Sequence, residues 1–374
     1  MKEKRKKKFK LSDLLGGLLG GALGFFVSYL GFKNGEDGSG AISIIVIMLS
    51  AMISIYIHII IHEGGHLLFG IISGYKFVSF RIASLTLVKE DKFKLKRYSI
   101  PGTGGQCLLD PPEYNEDNFP YVLYNLGGGL LNLVASFLTI LIIVLTNSSG
   151  EVKNILYIFS ILGIYLALTN LIPLNLGGIA NDGMNILSIK KSKEARYSFY
   201  LQLKANALLM RGTRYKDMPL EWFNVPENLD IKNSINLSRK ILEGNYYLDK
   251  HDFDKTKEVF EEILEDENIL GLYKNEIACE LIFCELMMNG NEEKINSLYT
   301  KEVKKYIDKN KFMLSKKRTQ YAYEVLVNKD MVKAEKIKNQ LNKLFKTYPY
   351  KGELNTEEEF INLIDEKANT LVLQ

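Results

Sequence analysis

Cysteine and histidine are both scarce in this chain of 374 residues, which has three cysteines and four histidines. The cysteines are odd in number and form no Cys-x-x-Cys pair, so no disulfide framework is indicated and reduced thiols are expected. None of them has a histidine nearby in the sequence, which argues against a cysteine nucleophile. The histidines are distributed very unevenly, because three of the four lie within nine residues.

Charge is missing from long parts of the first half of the chain. The twenty residues Ala41–Ile60 contain no Asp, Glu, Lys or Arg. A helix of about 20 apolar residues is long enough to cross the hydrocarbon core of a bilayer. Four segments meet this requirement. The first could be a signal peptide, but no A-x-A-like cleavage site follows it, so we expect it to stay in the protein as a membrane anchor. The predicted spans are Leu14–Phe32, Ile42–Ile72, Tyr121–Thr146 and Ile155–Pro173.

Basic residues indicate how these spans are oriented. Seven Lys or Arg side chains lie in the first ten residues and seven more lie between Lys76 and Phe119, whereas the other two connections hold one Lys each. By the positive-inside rule, both termini and the middle loop are cytoplasmic. An apolar span follows the basic N-terminus, so a topogenic signal is favoured over nucleic-acid binding. The composition is rich in Lys, Asn and Ile, which is typical of bacteria with AT-rich coding, so the expected location is a bacterial cell membrane.

The middle loop, residues 76–118, does not show a helical pattern. Phe77–Ile82, Leu85–Val88 and Phe93–Tyr98 are predicted to be short strands, with Glu90 and Asp91 at the turn of a hairpin. Such a strand edge beside a catalytic centre would hold an extended substrate by strand addition. A lid or spacer role explains the same pattern equally well, and the two alternatives stay open.

The second half of the chain is polar and helical in pattern. Residues 189–232 are interpreted as a linker, and residues 233–374 as a soluble α-helical domain whose helix-length amphipathic blocks resemble tetratricopeptide hairpins. Its role is either to stabilise the protein or to bind a protein partner. The fold expected overall is mainly α: a first span in residues 1–40, a membrane core in residues 41–188 with a small β-hairpin region, and this C-terminal domain.

The chemistry of the chain is concentrated in a His-Glu-Gly-Gly-His motif in the second span. His62 and His66 are four residues apart, so on a helix they project from the same face, and Glu63 between them suits a general base. Ionisable groups in an apolar span are costly and mark function. His58 lies one turn earlier, but a further ligand would close a catalytic site, so we interpret it as a buried residue or one that positions the ligands.

A catalytic zinc takes three protein ligands and leaves a position for water, so a third ligand is needed beyond the motif. The strongest candidate is Asp182, which follows the last span. Pro173 ends that helix and Gly177 and Gly178 permit a tight return, so the carboxylate can turn back toward the membrane core. The competing interpretation is a turn residue in Asn-Asp-Gly.

These residues carry a family resemblance. The helix containing His62–His66, followed later by Asn170-x-x-Pro173 and Asp182-Gly183, resembles the site-2 protease family of intramembrane zinc metalloproteases. The resemblance covers residues 42–186. It implies Zn2+ as the cofactor, with Glu63 as the catalytic acid and base. The metal ligands that it implies are His62, His66 and Asp182.

The family's Gly-Pro-x-x-Asn feature is matched in part. Here Gly128, Gly129 and Asn132 stand in this pattern, with Gly129 in place of proline. The resemblance implies that Gly129 and Asn132 contact a substrate strand. A second departure is the eight residues between Pro173 and Asp182, where four are usual. The middle loop is too short for a PDZ domain.

The function expected from the sequence is hydrolysis of peptide bonds in or near a transmembrane segment. The expected partners are a membrane-embedded peptide or protein substrate, the lipid bilayer and a protein bound to the C-terminal domain, with no nucleic acid. Asn170 either caps backbone groups near Pro173 or supports the site. Two alternatives stay open: a catalytically silent membrane adaptor, and a metal transporter or sensor that uses His58, His62 and His66.

Overall fold

The structure, a computed structural model, describes residues 40–100, 103–176, 179–266, 269–288, 290 and 292–372. Over these residues the protein is mainly helical and also contains a small antiparallel sheet. The described residues divide into two compact units, the first formed by 40–76 and 117–192, the second by 77–116 and 193–372. The predicted span Leu14–Phe32 lies outside the described residues.

The elements are numbered here in chain order. The helices are α1 (Gly40–Ile72), α2 (Tyr121–Leu145), α3 (Gly150–Leu171), α4 (Asp182–Lys191), α5 (Lys193–Arg211), α6 (Ser234–Asp249), α7 (Phe253–Glu265), α8 (Gly271–Met287), α9 (Glu292–Leu298), α10 (Lys301–Lys309), α11 (Leu314–Tyr323), α12 (Met331–Phe345) and α13 (Lys351–Val372). The strands are β1 (Lys76–Ile82), β2 (Leu85–Lys89), β3 (Phe93–Arg97), β4 (Gly105–Asp110), β5 (Asn175–Leu176) and β6 (Ile179–Ala180).

The first unit is built on three long apolar helices. Ile45–Ile72 within α1, together with the whole of α2 and α3, is long and apolar enough to cross a membrane. Large apolar side chains such as Met48 and Leu145 are exposed on these helices, which is typical of helices that face lipid. Helix α3 ends before Pro173, because proline has no N–H group to continue the helix. It begins five residues earlier than the sequence predicts.

Glycines let these three helices pack with their backbones close together. A Cβ atom on Gly65 of α1 would overlap the carbonyl oxygen of Gly127 of α2, and a Cβ on Gly127 would lie 2.5 Å from the oxygen of Gly65. On α3, a Cβ on Gly163 would overlap the side chains of Ser136 and His58. Close backbone approach through small residues is the usual way in which membrane helices associate, since lipid provides no hydrophobic driving force between them.

The four-stranded sheet of the second unit has the order β3-β2-β1-β4. Strands β1 and β2 pair antiparallel, as do β2 and β3, where Lys89 opposes Phe93 across the turn that contains Glu90 and Asp91. The three predicted strands are therefore present, and β4 is an addition that the sequence pattern did not reveal. Arg81 is fully buried and binds the strand ends through the carbonyl oxygens of Ala83 (2.8 Å) and Gly105 (3.0 Å).

This sheet packs with the C-terminal helices. Lys96 Nζ donates to the carbonyl oxygen of Tyr348 at 3.3 Å, and Lys351 Nζ lies 3.1 Å from Glu90 Oε2. Val78 and Val88 of the sheet share one apolar core with residues of α5–α13. The sequence analysis grouped residues 76–118 with the membrane core, whereas in the structure residues 77–116 belong to the second unit.

Candidate metal centre

Three side chains of the first unit converge on one point. Nε2 of His62 and Nε2 of His66 are 3.1 Å apart, and Asp182 Oδ2 lies 3.3 Å from the first and 3.4 Å from the second. The two histidines meet because α1 is helical through the motif, and Asp182 reaches them from the start of α4. Within the described residues this is the one cluster of three His, Cys, Asp or Glu side chains arranged to hold a metal ion.

The three atoms fit a zinc ion in their spacing and in their chemistry. Tetrahedral zinc with bonds of about 2.0–2.1 Å requires ligand atoms about 3.3–3.4 Å apart, close to the separations seen here. Two imidazole nitrogens and one carboxylate oxygen form a zinc donor set that leaves a coordination position open. Asp182 Oδ2 is buried and accepts no hydrogen bond of good geometry within the described structure, so a bound cation would stabilise its charge.

A backbone carbonyl fixes the orientation of His66. His66 Nδ1 donates to the carbonyl oxygen of Tyr124 on α2 at 2.7 Å, which leaves the Nε2 lone pair directed at the cluster. Metal-binding histidines are commonly held in this way by a second hydrogen bond. Tyr124 was not identified from the sequence, because any residue offers a carbonyl oxygen and its side chain therefore gives no signal.

His62 is positioned by the absence of a side chain at Gly128. A Cβ atom on Gly128 of α2 would lie 2.5 Å from His62 Cε1 and 2.6 Å from His62 Nδ1. The imidazole therefore occupies the space that a side chain at residue 128 would fill. The Gly127-Gly128-Gly129 run serves helix packing at the candidate centre.

Asn181 holds Asp182 at the beginning of α4. Its Oδ1 caps the helix by accepting from Met184 N at 2.8 Å, and also accepts from Leu174 N at 3.1 Å. Its Nδ2 donates to the carbonyl oxygens of Thr169 and Ile172, both at 2.6 Å, at the end of α3. One amide thus joins the end of one helix to the start of the next. Sequence reasoning missed Asn181, although Asn before a helix start is a recognisable capping pattern.

The surroundings of Asp182 keep its carboxyl ionised. Burial by itself would raise the pKa of Asp182, but the adjacent His66 and His62 outweigh it and hold the pKa below its ordinary value. Gly183 follows in a position where a Cβ atom would overlap the carbonyl oxygen of Leu171. Glycine at this point therefore lets the first turn of α4 sit directly on the end of α3.

The additional residues between Pro173 and Asp182 form a small strand pair. Asn175 pairs with Ala180 and Leu176 with Ile179, and Asn181 N donates to Leu174 O at 3.1 Å. The chain therefore leaves α3 and returns beside it. The longer connection does not prevent Asp182 from reaching the histidines.

Glu63 is buried in the same region and lies within electrostatic range of His66. The side chains of His62, His66 and Asp182 are 15, 11 and 19 % exposed, so the cluster is largely but not completely buried. A carboxylate near such a cluster is a candidate general base when it comes within hydrogen-bond reach of a water.

His58 makes two hydrogen bonds away from the cluster. Its Nε2 lies 2.9 Å from the carbonyl oxygen of Phe159 and its Nδ1 lies 3.0 Å from Asn132 Oδ1. A carbonyl oxygen only accepts, so Nε2 donates to Phe159. If the imidazole is neutral, Nδ1 then accepts, which requires the Asn132 amide to be turned by 180° so that its NH2 group faces Nδ1. The same turn would give a partner to Asn132 Nδ2, which has none in its present orientation within the described structure. Both nitrogens of His58 are occupied, and it is not part of the ligand cluster.

The other predicted site residues have local roles in this structure. Asn170 Nδ2 donates to the Leu166 carbonyl oxygen of its own helix at 2.7 Å. A Cβ atom on Gly129 would overlap Leu171, and Asn132 is fully buried. Substrate contact by Gly129 and Asn132 stays a prediction. The fourth histidine of the chain, His251, belongs to the second unit.

Comparison with known proteins gives no match to a family model, to a curated protein or to a solved structure. Function is therefore inferred from the residues of the site and from their surroundings.

Proposed function

We propose that the protein is an intramembrane zinc metalloprotease of the site-2 protease type. The observation that carries this proposal is the convergence of His62 Nε2, His66 Nε2 and Asp182 Oδ2 at separations of 3.1–3.4 Å, with Glu63 buried beside them. The two histidines lie in a helix that is apolar enough to span a membrane. Ionisable groups are costly in such a helix and are retained where they have a function.

The residues of the site divide the chemistry among them. When bound, zinc brings the pKa of a water ligand to about 7 and polarises the scissile carbonyl. Glu63 accepts the proton from the water as its oxygen adds to the carbonyl carbon, and passes that proton to the nitrogen as the C–N bond breaks. Asp182, held by Asn181, and His66, held by Tyr124, keep fixed positions during this reaction.

The substrate must be extended where it is cut, because the peptide bonds of a helix are sequestered. The strand pair β5–β6 ends two residues before Asp182 and offers an edge to an extended segment. Gly129 and Asn132 are further candidates for contact with the substrate. The expected substrates are membrane-tethered regulators, remnant signal peptides and precursors of small secreted peptides, cut from the cytoplasmic side.

The architecture of the second unit belongs to the same proposal. Its C-terminal helices form a tetratricopeptide-like domain that binds a protein partner. This is supported by the pair α6 and α7, which are separated by three residues and packed so closely that a Cβ on Gly244 would overlap the ring of Phe260. The transporter alternative has less support, because both nitrogens of His58 are already hydrogen-bonded.

The proposal is tested by comparing membrane peptides from cells that carry the wild-type chain or Glu63→Gln. Glu63→Gln keeps the size of the side chain and removes the base, so we expect zinc content to be unchanged and cleavage products to disappear. Glu151→Gln, at an exposed carboxylate in the first turn of α3, is the matched control and should cleave normally. Identical peptide profiles for wild type and Glu63→Gln would contradict proteolysis and favour the silent adaptor.

A further inference from the structure

A cavity of about 130 Å³ in the second unit has a wall rich in carboxyl groups. One cation, Arg318, lines the cavity, and two more, Lys316 and Arg214, bind the lining carboxylates from outside it. Five acidic side chains thus face three basic ones. The acidic residues are Asp249, Glu276, Glu280, Glu353 and Glu357.

The basic side chains satisfy only part of this wall. Lys316 Nζ lies 2.6 Å from Glu276 Oε1 and 3.0 Å from Glu280 Oε1. Arg318 bonds Glu280 through one nitrogen and Glu357 Oε1 through the other at 3.0 Å. These contacts account for Glu276, Glu280 and one oxygen of Glu357.

Two acidic side chains remain incompletely paired. Glu357 is 6 % exposed, and its Oε2 is buried without a hydrogen-bond partner in the described structure. Among the described residues no basic side chain forms a salt bridge with Glu353, which accepts from the hydroxyl of Tyr348 at 2.6 Å. Both residues line the cavity. A buried carboxylate oxygen without a donor is costly, so a hydrogen-bond donor that enters the cavity would stabilise this wall.

The missing donor has the characteristics of an organic cation. Among the described residues, these carboxylates do not converge closely enough to form a metal cluster such as that of His62, His66 and Asp182. The rings of Tyr98, Tyr215 and Tyr348 also line the cavity, and aromatic faces attract organic cations. A cavity of roughly 150 Å³ holds a benzene molecule, so about 130 Å³ suits a guanidinium group or the end of an alkylammonium chain.

We propose that this cavity is a binding site for the cationic end of an organic ligand, a guanidinium or alkylammonium group, with Glu353 and Glu357 as its acceptors. The cation belongs either to a basic side chain of a peptide or to a free small amine, since both present the same donor. The inference is independent of the metal centre and of proteolysis, because every residue that carries it lies in the second unit.

The test is calorimetric titration at pH 8, where Glu353 is ionised, of the purified full chain with N-acetylarginine amide and with N-acetylcitrulline amide, its neutral isostere. We expect saturable binding of the arginine compound and none of the citrulline compound. Glu353→Gln and Glu357→Gln should each weaken binding about tenfold or more, because each removes the charge from an acceptor. The exposed Glu258→Gln should leave affinity unchanged.

Butylguanidine, which lacks the peptide groups, separates the two sources of the cation. Weaker binding of butylguanidine than of N-acetylarginine amide assigns the site to a peptide side chain, and equal or tighter binding assigns it to a free amine. Glu353→Gln has no salt bridge to lose, so it stays informative if Glu357→Gln unfolds the domain. No saturable binding of either cation, or equal binding by a folded Glu353→Gln protein, would overturn the proposal.

Discussion

The two units of this protein bury polar side chains in contrasting ways. In the first unit, glycines bring helix backbones together, and His62, His66 and Asp182 form the candidate metal centre. In the second unit, buried charges are frequent and paired, as shown by Arg318 between Glu280 and Glu357. Large apolar side chains are widely exposed on the helices of the first unit, as expected for contact with lipid.

This contrast shows that a buried charged side chain indicates a functional site in the first unit and, where it has a partner, a structural ion pair in the second. An ionisable side chain in a helix surrounded by lipid lowers stability, so its presence there indicates a functional site. In the second unit a buried charge with a partner, such as Lys316, is part of the packing. There the informative feature is the carboxylate oxygen of Glu357 that has no partner.

The largest effect is expected from Arg318→Met in the second unit. The change leaves Glu357 as a buried carboxylate without its basic partner and Glu280 with Lys316 alone, which costs about 3–5 kcal/mol of unfolding free energy. The chain's single tryptophan, Trp222, belongs to this unit, so its fluorescence reports denaturant unfolding of the second unit in the full chain. The control Lys255→Met removes an exposed pair and should not move the transition. Equal shifts for both variants would refute the assignment of a structural role to the buried network.

Next in size is the effect of Gly65→Ala in the first unit. The added methyl group overlaps the backbone of Gly127, and overpacking of this kind costs about 2–3 kcal/mol. We expect faster amide hydrogen exchange in α1 and α2 and loss of zinc during purification. Gly64→Ala is the neighbouring control, because its nearest atom would be Leu131 Cδ2 at 4.0 Å. Identical exchange in the two variants would show that the glycine contact is not required.

A smaller effect is expected from His58→Leu. The variant removes the hydrogen bonds to Asn132 and Phe159 and leaves their polar groups buried, which costs about 1–2 kcal/mol. Zinc content should stay unchanged, because His58 is not part of the ligand cluster. Loss of zinc in a protein that retains its helices would place His58 in the metal pathway and support the transporter alternative.

The smallest effect is a pH dependence that arises from Glu353. Burial, reinforced by Glu276 and Glu280 and opposed by Tyr348 and Lys316, raises the pKa of Glu353 from 4.5 to about 7. The folded state holds this proton more tightly than the unfolded state. Its stabilising contribution is therefore complete below pH 4.5 and is lost as pH rises through 7, by about 1 kcal/mol between pH 6 and 8. Denaturant unfolding followed by Trp222 should show a smaller loss in Glu353→Gln than in the wild type. The remaining loss comes from Glu357, because burial also raises the pKa of that carboxyl to about 7.

The sequence predicted the features that depend on local pattern. Apolar runs located the helices α1–α3 to within five residues, and alternation located β1–β3. The chemistry of a zinc site led from the His-Glu-Gly-Gly-His motif to Asp182, which the structure brings to the two histidines. The helix and strand predictions succeed because the helix period and the strand period are properties of residue types. That His62, His66 and Asp182 bind zinc stays a prediction.

The features that the sequence could not reveal depend on contacts between distant segments. Strand β4 lies beside β1 without a hairpin turn between them, so no local sequence pattern indicates it. Tyr124 binds His66 through its backbone carbonyl oxygen, a group that every residue has. The hydrogen bond between His58 and Asn132 joins two helices. The sequence did not indicate it, because the family resemblance gives Asn132 a different role, contact with a substrate strand. Asn181 shows an intermediate case, since its capping position was visible but its bonds to the end of α3 were not.

The most direct test of the metal centre is zinc content, measured by mass spectrometry on the purified full chain. We expect one zinc ion per chain in the wild type, in Glu63→Gln and in His58→Leu, and a loss of zinc in Asp182→Ala and His66→Ala. Full zinc content in Asp182→Ala would contradict the ligand set on which the proposed function is based.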